Sequence, residues 1–168
     1  DYLYEVAALD VNVGDTLTFA APTLPSWLSF DASTKILSGR PLNAHVGNHT
    51  VILAVSDAFK TVDQSFTITV VNTNDAPVFT STEITGATED SDYLYEVAAS
   101  DVDMGDALTF AAPTKPSWLS FDASTKILSG RPLNEHVGTH NIKLTVSDGT
   151  VTDEQEFNIT VANTNDAP

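Results

Sequence analysis

Oxygen-bearing side chains are gathered at a few places in this sequence, and their spacing suits one kind of chemistry. Asn72-Thr73-Asn74-Asp75-Ala76-Pro77 recurs letter for letter as Asn163-Thr164-Asn165-Asp166-Ala167-Pro168. Four of the six residues carry side-chain oxygens fit for a hard cation, and Pro77, with a fixed φ and no amide hydrogen, stiffens the exit. Asp101-Val102-Asp103-Met104-Gly105-Asp106 sets alternate carboxylates around a glycine. A loop of that kind can wrap Ca²⁺, which takes about six to eight oxygens at about 2.3–2.6 Å. An earlier stretch, Asp10-Val11-Asn12-Val13-Gly14-Asp15, repeats the pattern with one carboxylate replaced by an amide. Asp148 and Asp57 each follow a strand pattern at a tight turn, and Glu89 and Asp90 lie between two strand patterns. One such cluster alone reads as a solvated turn. Several together repel one another unless a cation offsets them, so a calcium-clamped joint is expected.

Other chemistry is weaker in the sequence. His45 and His49, like His136 and His140, stand four apart, a zinc-chelating spacing on a helix. The glycine between them and the strand that follows make the stretch a loop, so surface or packing roles are expected. Trp27 and Trp118 have the shape for stacking on sugar rings, but in Pro-Ser-Trp-Leu-Ser-Phe they alternate with apolar neighbours and read as core. Tyr2, Tyr4, Tyr93 and Tyr95 are better placed as surface aromatics, though a structural role fits them too. Asn48 and Asn158 head glycosylation sequons, which matter only in a eukaryotic secretory pathway. No nucleophile elbow, phosphate loop or nucleophile–base pair is present. Carboxylates at the ends of a small sandwich form no cleft, so no catalysis is expected.

Composition narrows the partners. Seven Lys+Arg against 23 Asp+Glu give a net charge of −16, which nucleic acid and anionic membrane surfaces repel. No run of apolar residues is long enough for a membrane-spanning helix. The absence of cysteine removes disulfides and thiolate metal sites. The chain opens in mid-pattern at Asp1-Tyr2-Leu3-Tyr4 and reads as a piece of something longer.

The elements that must position these residues come in two copies. A shift of 91 residues lays residues 1–77 on residues 92–168 with 58 of 77 positions identical. The expected domains are therefore residues 1–77 and 78–168, the first lacking the 14-residue counterpart of Val78–Ser91. That leaves an unpaired sheet edge in the first copy, which is expected to be less stable or completed by a neighbour. In the complete copy, strands are predicted over Val78–Thr85 (ended by Gly86), Tyr93–Ala99, around Leu108 and Phe110, over Trp118–Phe121 and at Ile127-Leu128. Two long ones alternate Ile142, Leu144, Val146 and Phe157, Ile159, Val161 with polar neighbours. About seven short strands in about 90 residues, with no helical period, predict an all-β sandwich per copy.

The linker Asn72–Pro77 with Val78-Phe79 resembles the inter-repeat linker of cadherins. The segment from Leu24 to Pro41, Trp27-Leu28-Ser29-Phe30-Asp31 within it, and its twin Pro116–Pro132 resemble the dystroglycan-type cadherin-like modules of large bacterial surface proteins. The resemblance implies two tandem Ig-like/cadherin-like Greek-key β-sandwiches. It also implies Ca²⁺ shared by Asn74, Asp75, Asp101, Asp103 and Asp148, and a second site where Glu89 meets Asn165 and Asp166. Asn72, Asp106, Asp10 and Asp57 complete the candidate ligands. Where cadherins carry a D-R-E element this chain reads Asn43-Ala44-His45 and Asn134-Glu135-His136, and its linker is one residue shorter. One or two ions per joint are expected rather than three. The resemblance further implies an extracellular or bacterial cell-surface module for adhesion or spacing. Its partners would be calcium and like modules or neighbouring repeats. The alternative is calcium-dependent polysaccharide binding, because related modules occur beside polysaccharide-degrading domains.

Overall fold

A computed structural model describes residues 1–12, 14–57 and 59–165. The chain divides into two units, Asp1–Thr73 and Asn74–Pro168. The division falls four residues before the boundary read from the repeat. Asn74 and Asp75 make hydrogen bonds to Asp148 and Asp103, which draw them into the second unit.

The first unit contains β1 (Tyr2–Glu5), β2 (Thr18–Thr23), β3 (Leu28–Asp31), β4 (Ile36–Gly39), β5 (Gly47–Ser56) and β6 (Thr61–Val70). They form two antiparallel sheets, ordered β1-β4-β3 and β2-β5-β6. The long β5–β6 hairpin pairs Gly47 with Val70 at one end and Ser56 with Thr61 at the other. Alternation in β5 turns Val51 and Leu53 inward, where they pack with Leu37, Leu28, Trp27 and Val6. This is the period-two burial that the sequence pattern requires.

The second unit contains β7 (Val78–Phe79), β8 (Gly86–Thr88), β9 (Tyr93–Glu96), β10 (Ala99–Ser100), β11 (Thr109–Thr114), β12 (Leu119–Asp122), β13 (Ile127–Gly130), β14 (Gly138–Ser147) and β15 (Thr152–Ala162). The sheets are ordered β12-β13-β9 and β11-β14-β15-β8, with β10 and β7 as a separate pair. Ile142, Val146, Leu128 and Ile159 are wholly buried, and Trp118 and Phe110 are nearly so. Burial on that scale contributes roughly 1.5–3 kcal/mol for each large side chain. Tyr95 and Phe157 meet edge to face at 5.9 Å, as do Tyr93 and Trp118, the geometry aromatic quadrupoles favour. Gly130 is required by a close approach: a Cβ there would lie 2.0 Å from the Trp118 carbonyl oxygen.

Three strand expectations need correction. The opening strand is not continuous over Val78–Thr85; it stops after Phe79, and Gly86 begins a second strand rather than ending the first. The break lies at Ser81, whose hydroxyl accepts from the Ala98 amide and bonds the Tyr95 hydroxyl, while its carbonyl accepts from Gln155. These ties leave β7 antiparallel to β10 and β8 parallel to β15. The Tyr93–Ala99 strand likewise divides into β9, on β13, and β10, on β7. Finally, β12 starts at Leu119, with Trp118 just before it.

Candidate metal centre

The carboxylates gather where strands end. The loop after β10 supplies Asp101, Asp103 and Asp106, with Gly105 at φ 102° making its reversal. Asp148 follows β14, where its Oδ1 accepts from the amides of Thr150 and Val151 at 2.6 and 2.7 Å. Oxygens of Asp101, Asp106 and Asp148 all lie within 4.8 Å of one another. Asp103 is buried beside them; its amide donates to Asp101 Oδ1 at 2.9 Å and its Oδ2 accepts from the Asp75 amide at 2.7 Å. Asn74 Nδ2 donates to Asp148 Oδ2 at 2.8 Å. The linker residues thus reach the cluster from within the second unit. Asn72 is exposed and belongs to the first unit.

The electrostatics are uneven. Desolvation, and then repulsion by Asp101, Asp103 and Asp148, raise the Asp106 carboxyl above the ordinary aspartate range. The Val151 amide, followed by Asn74 and the Thr150 amide, lowers that of Asp148. Asp101 Oδ2 is buried with no hydrogen-bond partner among the described residues. A buried acceptor left in that state costs about 1–3 kcal/mol or more when charged, and a bound cation removes that cost. The all-oxygen donor set is what Ca²⁺ takes, backbone carbonyls and water making up the remainder.

Elsewhere in the second unit, Glu89 is 1% exposed. Its Oε2 accepts from the Thr164 amide at 3.0 Å, its carbonyl accepts from the Thr164 hydroxyl, and its Oε1 has no partner among the described residues. Glu89 therefore meets Thr164 of the second linker. Asn165 follows next in that linker and is exposed. Asp166 lies outside the described residues.

In the first unit Asp10, Asp15 and Asp57 form a second group within 4.8 Å. Asp15, which closes the Asp10–Asp15 stretch, stands 91 positions before Asp106 and takes the same place in its group. The Lys60 and Phe59 amides lower the Asp57 carboxyl, with a smaller contribution from the Lys60 charge. Asn12 stands where the second copy has Asp103, and Lys60 where it has Val151. Both changes make this group less anionic than its counterpart in the second unit.

The histidines and tryptophans pack. His45 Nδ1 accepts from the Leu42 amide, and the His45 carbonyl accepts from His49 Nε2. His136 and His140 repeat the arrangement. Trp27 is buried against Tyr2, His45 and His49, and Trp118 against Tyr93, His136 and His140. No helix among the described residues is long and apolar enough to cross a membrane.

Comparison with known proteins gives three findings. The sequence profile described as "Putative Ig domain" matches residues 1–71 and again residues 76–162. The serine-rich adhesin for platelets of Staphylococcus aureus is 31% identical over 144 residues, covering 82% of this chain and 6% of the adhesin. Among solved structures, the EC1-2 fragment of human protocadherin-24 aligns with a TM-score of 0.55 at 19% identity, over 98% of this chain and 88% of that one. An endo-fucoidan hydrolase of glycoside hydrolase family 107 aligns over 90% of this chain and 24% of its own at 29% identity, with a TM-score of only 0.47. The protocadherin likeness shows a shared fold, and the chain spans a small fraction of the adhesin's length.

Proposed function

The chain belongs to the family described as "Putative Ig domain", in two tandem copies, and from that premise we propose that it is a calcium-binding extracellular repeat module serving adhesion or spacing. The adhesin relative and the cadherin-like fold support an adhesion-type role at a cell surface. The dystroglycan-type subdivision is a finer reading, carried by the Leu24–Pro41 segment and its twin Pro116–Pro132. The observation that carries the calcium reading is the group Asp101, Asp106 and Asp148, with a buried Asp101 oxygen lacking any partner among the described residues. Bound calcium would neutralise the three carboxylates and hold the docked residues Asn74 and Asp75 in place, making the linker part of the second unit rather than a free tether. This is how the module would be rigidified, and neighbouring repeats or like modules would be its partners. Trp27 and Trp118, the aromatics a polysaccharide-binding role would use, are buried.

A thermal melt tests the reading. A ligand bound only to the folded form stabilises it by RT ln(1 + [L]/Kd), about 4 kcal/mol at a thousandfold excess over Kd. Calcium is expected to raise the melting temperature of the chain. Asp101→Asn should remove most of that rise, and in chelator it should melt no lower than the original chain, because it takes one charge out of the crowded cluster. Equal melting of both proteins in both conditions would exclude Asp101 as a ligand.

A further inference from the structure

The second unit is entered through Asn74–Pro77 and left through Asn163–Asn165. β8, a short way in from the first of these linkers, lies beside β15, which runs into the second. The two pair in parallel register, Gly86 with Thr160, Ala87 with Val161 and Thr88 with Ala162. Every other strand pair among the described residues is antiparallel. Tension applied at the two linkers draws β8 toward its N-terminal end and β15 toward its C-terminal end. Because the strands run the same way, those pulls oppose each other along one ladder, and all of its bonds are loaded together. An antiparallel hairpin gripped at its open end yields instead one pair at a time.

The ladder is closed at both ends. The Thr160 amide donates to the Thr85 carbonyl at 2.8 Å, and the Glu89 amide donates to the Ala162 carbonyl at 3.0 Å. Past the end of β15 the pairing continues through a side chain. Glu89 is wholly buried, its Oε2 accepts from the Thr164 amide at 3.0 Å, and its carbonyl accepts from the Thr164 hydroxyl at 3.3 Å. Val161 is buried and Ala87 packs on the same core, which keeps water from the adjoining bonds. A carboxylate buried in this way cannot exchange Thr164 for water before the strands slip, so losing that donor is costly. Upstream, β7 pairs with β10 at two positions only.

We propose that β8, β15 and the Glu89–Thr164 contact form a shear clamp that sets the force at which the second unit opens, with Glu89 as its locking residue. Its use rests on the adhesion-or-spacing reading, since a module strung between two holds is one that carries tension. The clamp itself is a property of the fold and needs no cation, because Glu89 Oε2 already holds the Thr164 amide. Forced unfolding reports the barrier to opening rather than the equilibrium stability, so the clamp can be strong without raising the melting temperature in proportion.

Single-molecule pulling on the whole chain in chelator tests the clamp. The sequence has no cysteine, so introduced thiols are unique handles. Ala76→Cys with Asn165→Cys, both at exposed positions, loads β8 against β15 in shear and leaves the first unit outside the stretched segment. Asp92→Cys with Asn165→Cys grips the C-terminal ends of both strands and peels them apart. The second unit is expected to open in shear at about twice the peeling force or more. In the shear geometry Thr164→Pro, which removes both donors from an exposed position, should lower the force by about a third or more. Thr164→Ser, which keeps both donors, should restore it, and Glu89→Gln, which keeps a neutral acceptor, should fall between. Equal forces in the two geometries would overturn the clamp. A Thr164→Pro chain that opens at the original force would overturn the role of Glu89, and with it the proposal. None of these outcomes depends on calcium binding or on adhesion, so the two readings fail separately.

Discussion

Asp106 and Asp148 share one cluster yet are pushed in opposite directions, and this separates the cost of gathering carboxylates from the benefit of bonding them. Asp148 has two amides and the Asn74 side chain as donors, so its ionised form is favoured in the fold. Its stabilisation is present above the ordinary aspartate value of about 3.9 and is lost as pH falls through the lower folded value. Asp106, desolvated and repelled by three neighbours, behaves the other way: its ionised form disfavours the fold at neutral pH, and the cost disappears as pH falls through the raised value. Asp106→Asn is therefore expected to raise the melting temperature in chelator at pH 7 by a few degrees and to lower it in calcium. The gain in chelator should shrink as pH falls toward 4. A decrease of the same size in both conditions would mean that the cluster is neither strained without calcium nor relieved by it. The loop carboxylates were legible from their alternation with glycine nearby. What the sequence could not reveal was the burial of Glu89 and Asp103, which depends on where the two linkers dock.

Among the strands, the readable and the unreadable divide by the range of the forces involved. The alternation in β14 and β15 is local, and Ile142, Leu144, Val146, Phe157, Ile159 and Val161 face the core as expected. The break at Ser81 was hidden, because its cause is hydrogen bonding to Tyr95, Ala98 and Gln155, up to 74 residues away. The two copies share β1–β4 unchanged in sequence and most of the rest, but not their edges: β15 has β8 beside it, while among the described residues the first unit has no counterpart of that strand. The energetic consequence is directional. Ile159→Ala, at a wholly buried position, should cost about 2–5 kcal/mol, as large-to-small core changes do. Ile68→Ala should cost clearly less, since part of that side chain already faces water. Chemical denaturation of the two variants, with the unfolding of each unit resolved, checks the order. Equal costs would show that the edge strand contributes nothing to packing at that position.

At the scale of the whole chain, a net charge of −16 falls partly on groups that repel one another in each unit. In the second unit that repulsion raises the Asp106 carboxyl, and its relief by a bound cation would be the physical basis of the calcium reading. The duplication makes the reading internally comparative. The second unit keeps Asp103 and has Val151 in place of Lys60, so on the proposed reading it would be the stronger site and the first unit the weaker. Diffraction from crystals grown in millimolar calcium tests this most directly. Between Asp101, Asp106 and Asp148 the account predicts an anomalous peak with oxygens at about 2.3–2.6 Å, weaker or absent between Asp10, Asp15 and Asp57. Ordered water alone at the second unit's cluster, or a stronger peak in the first unit, would contradict it.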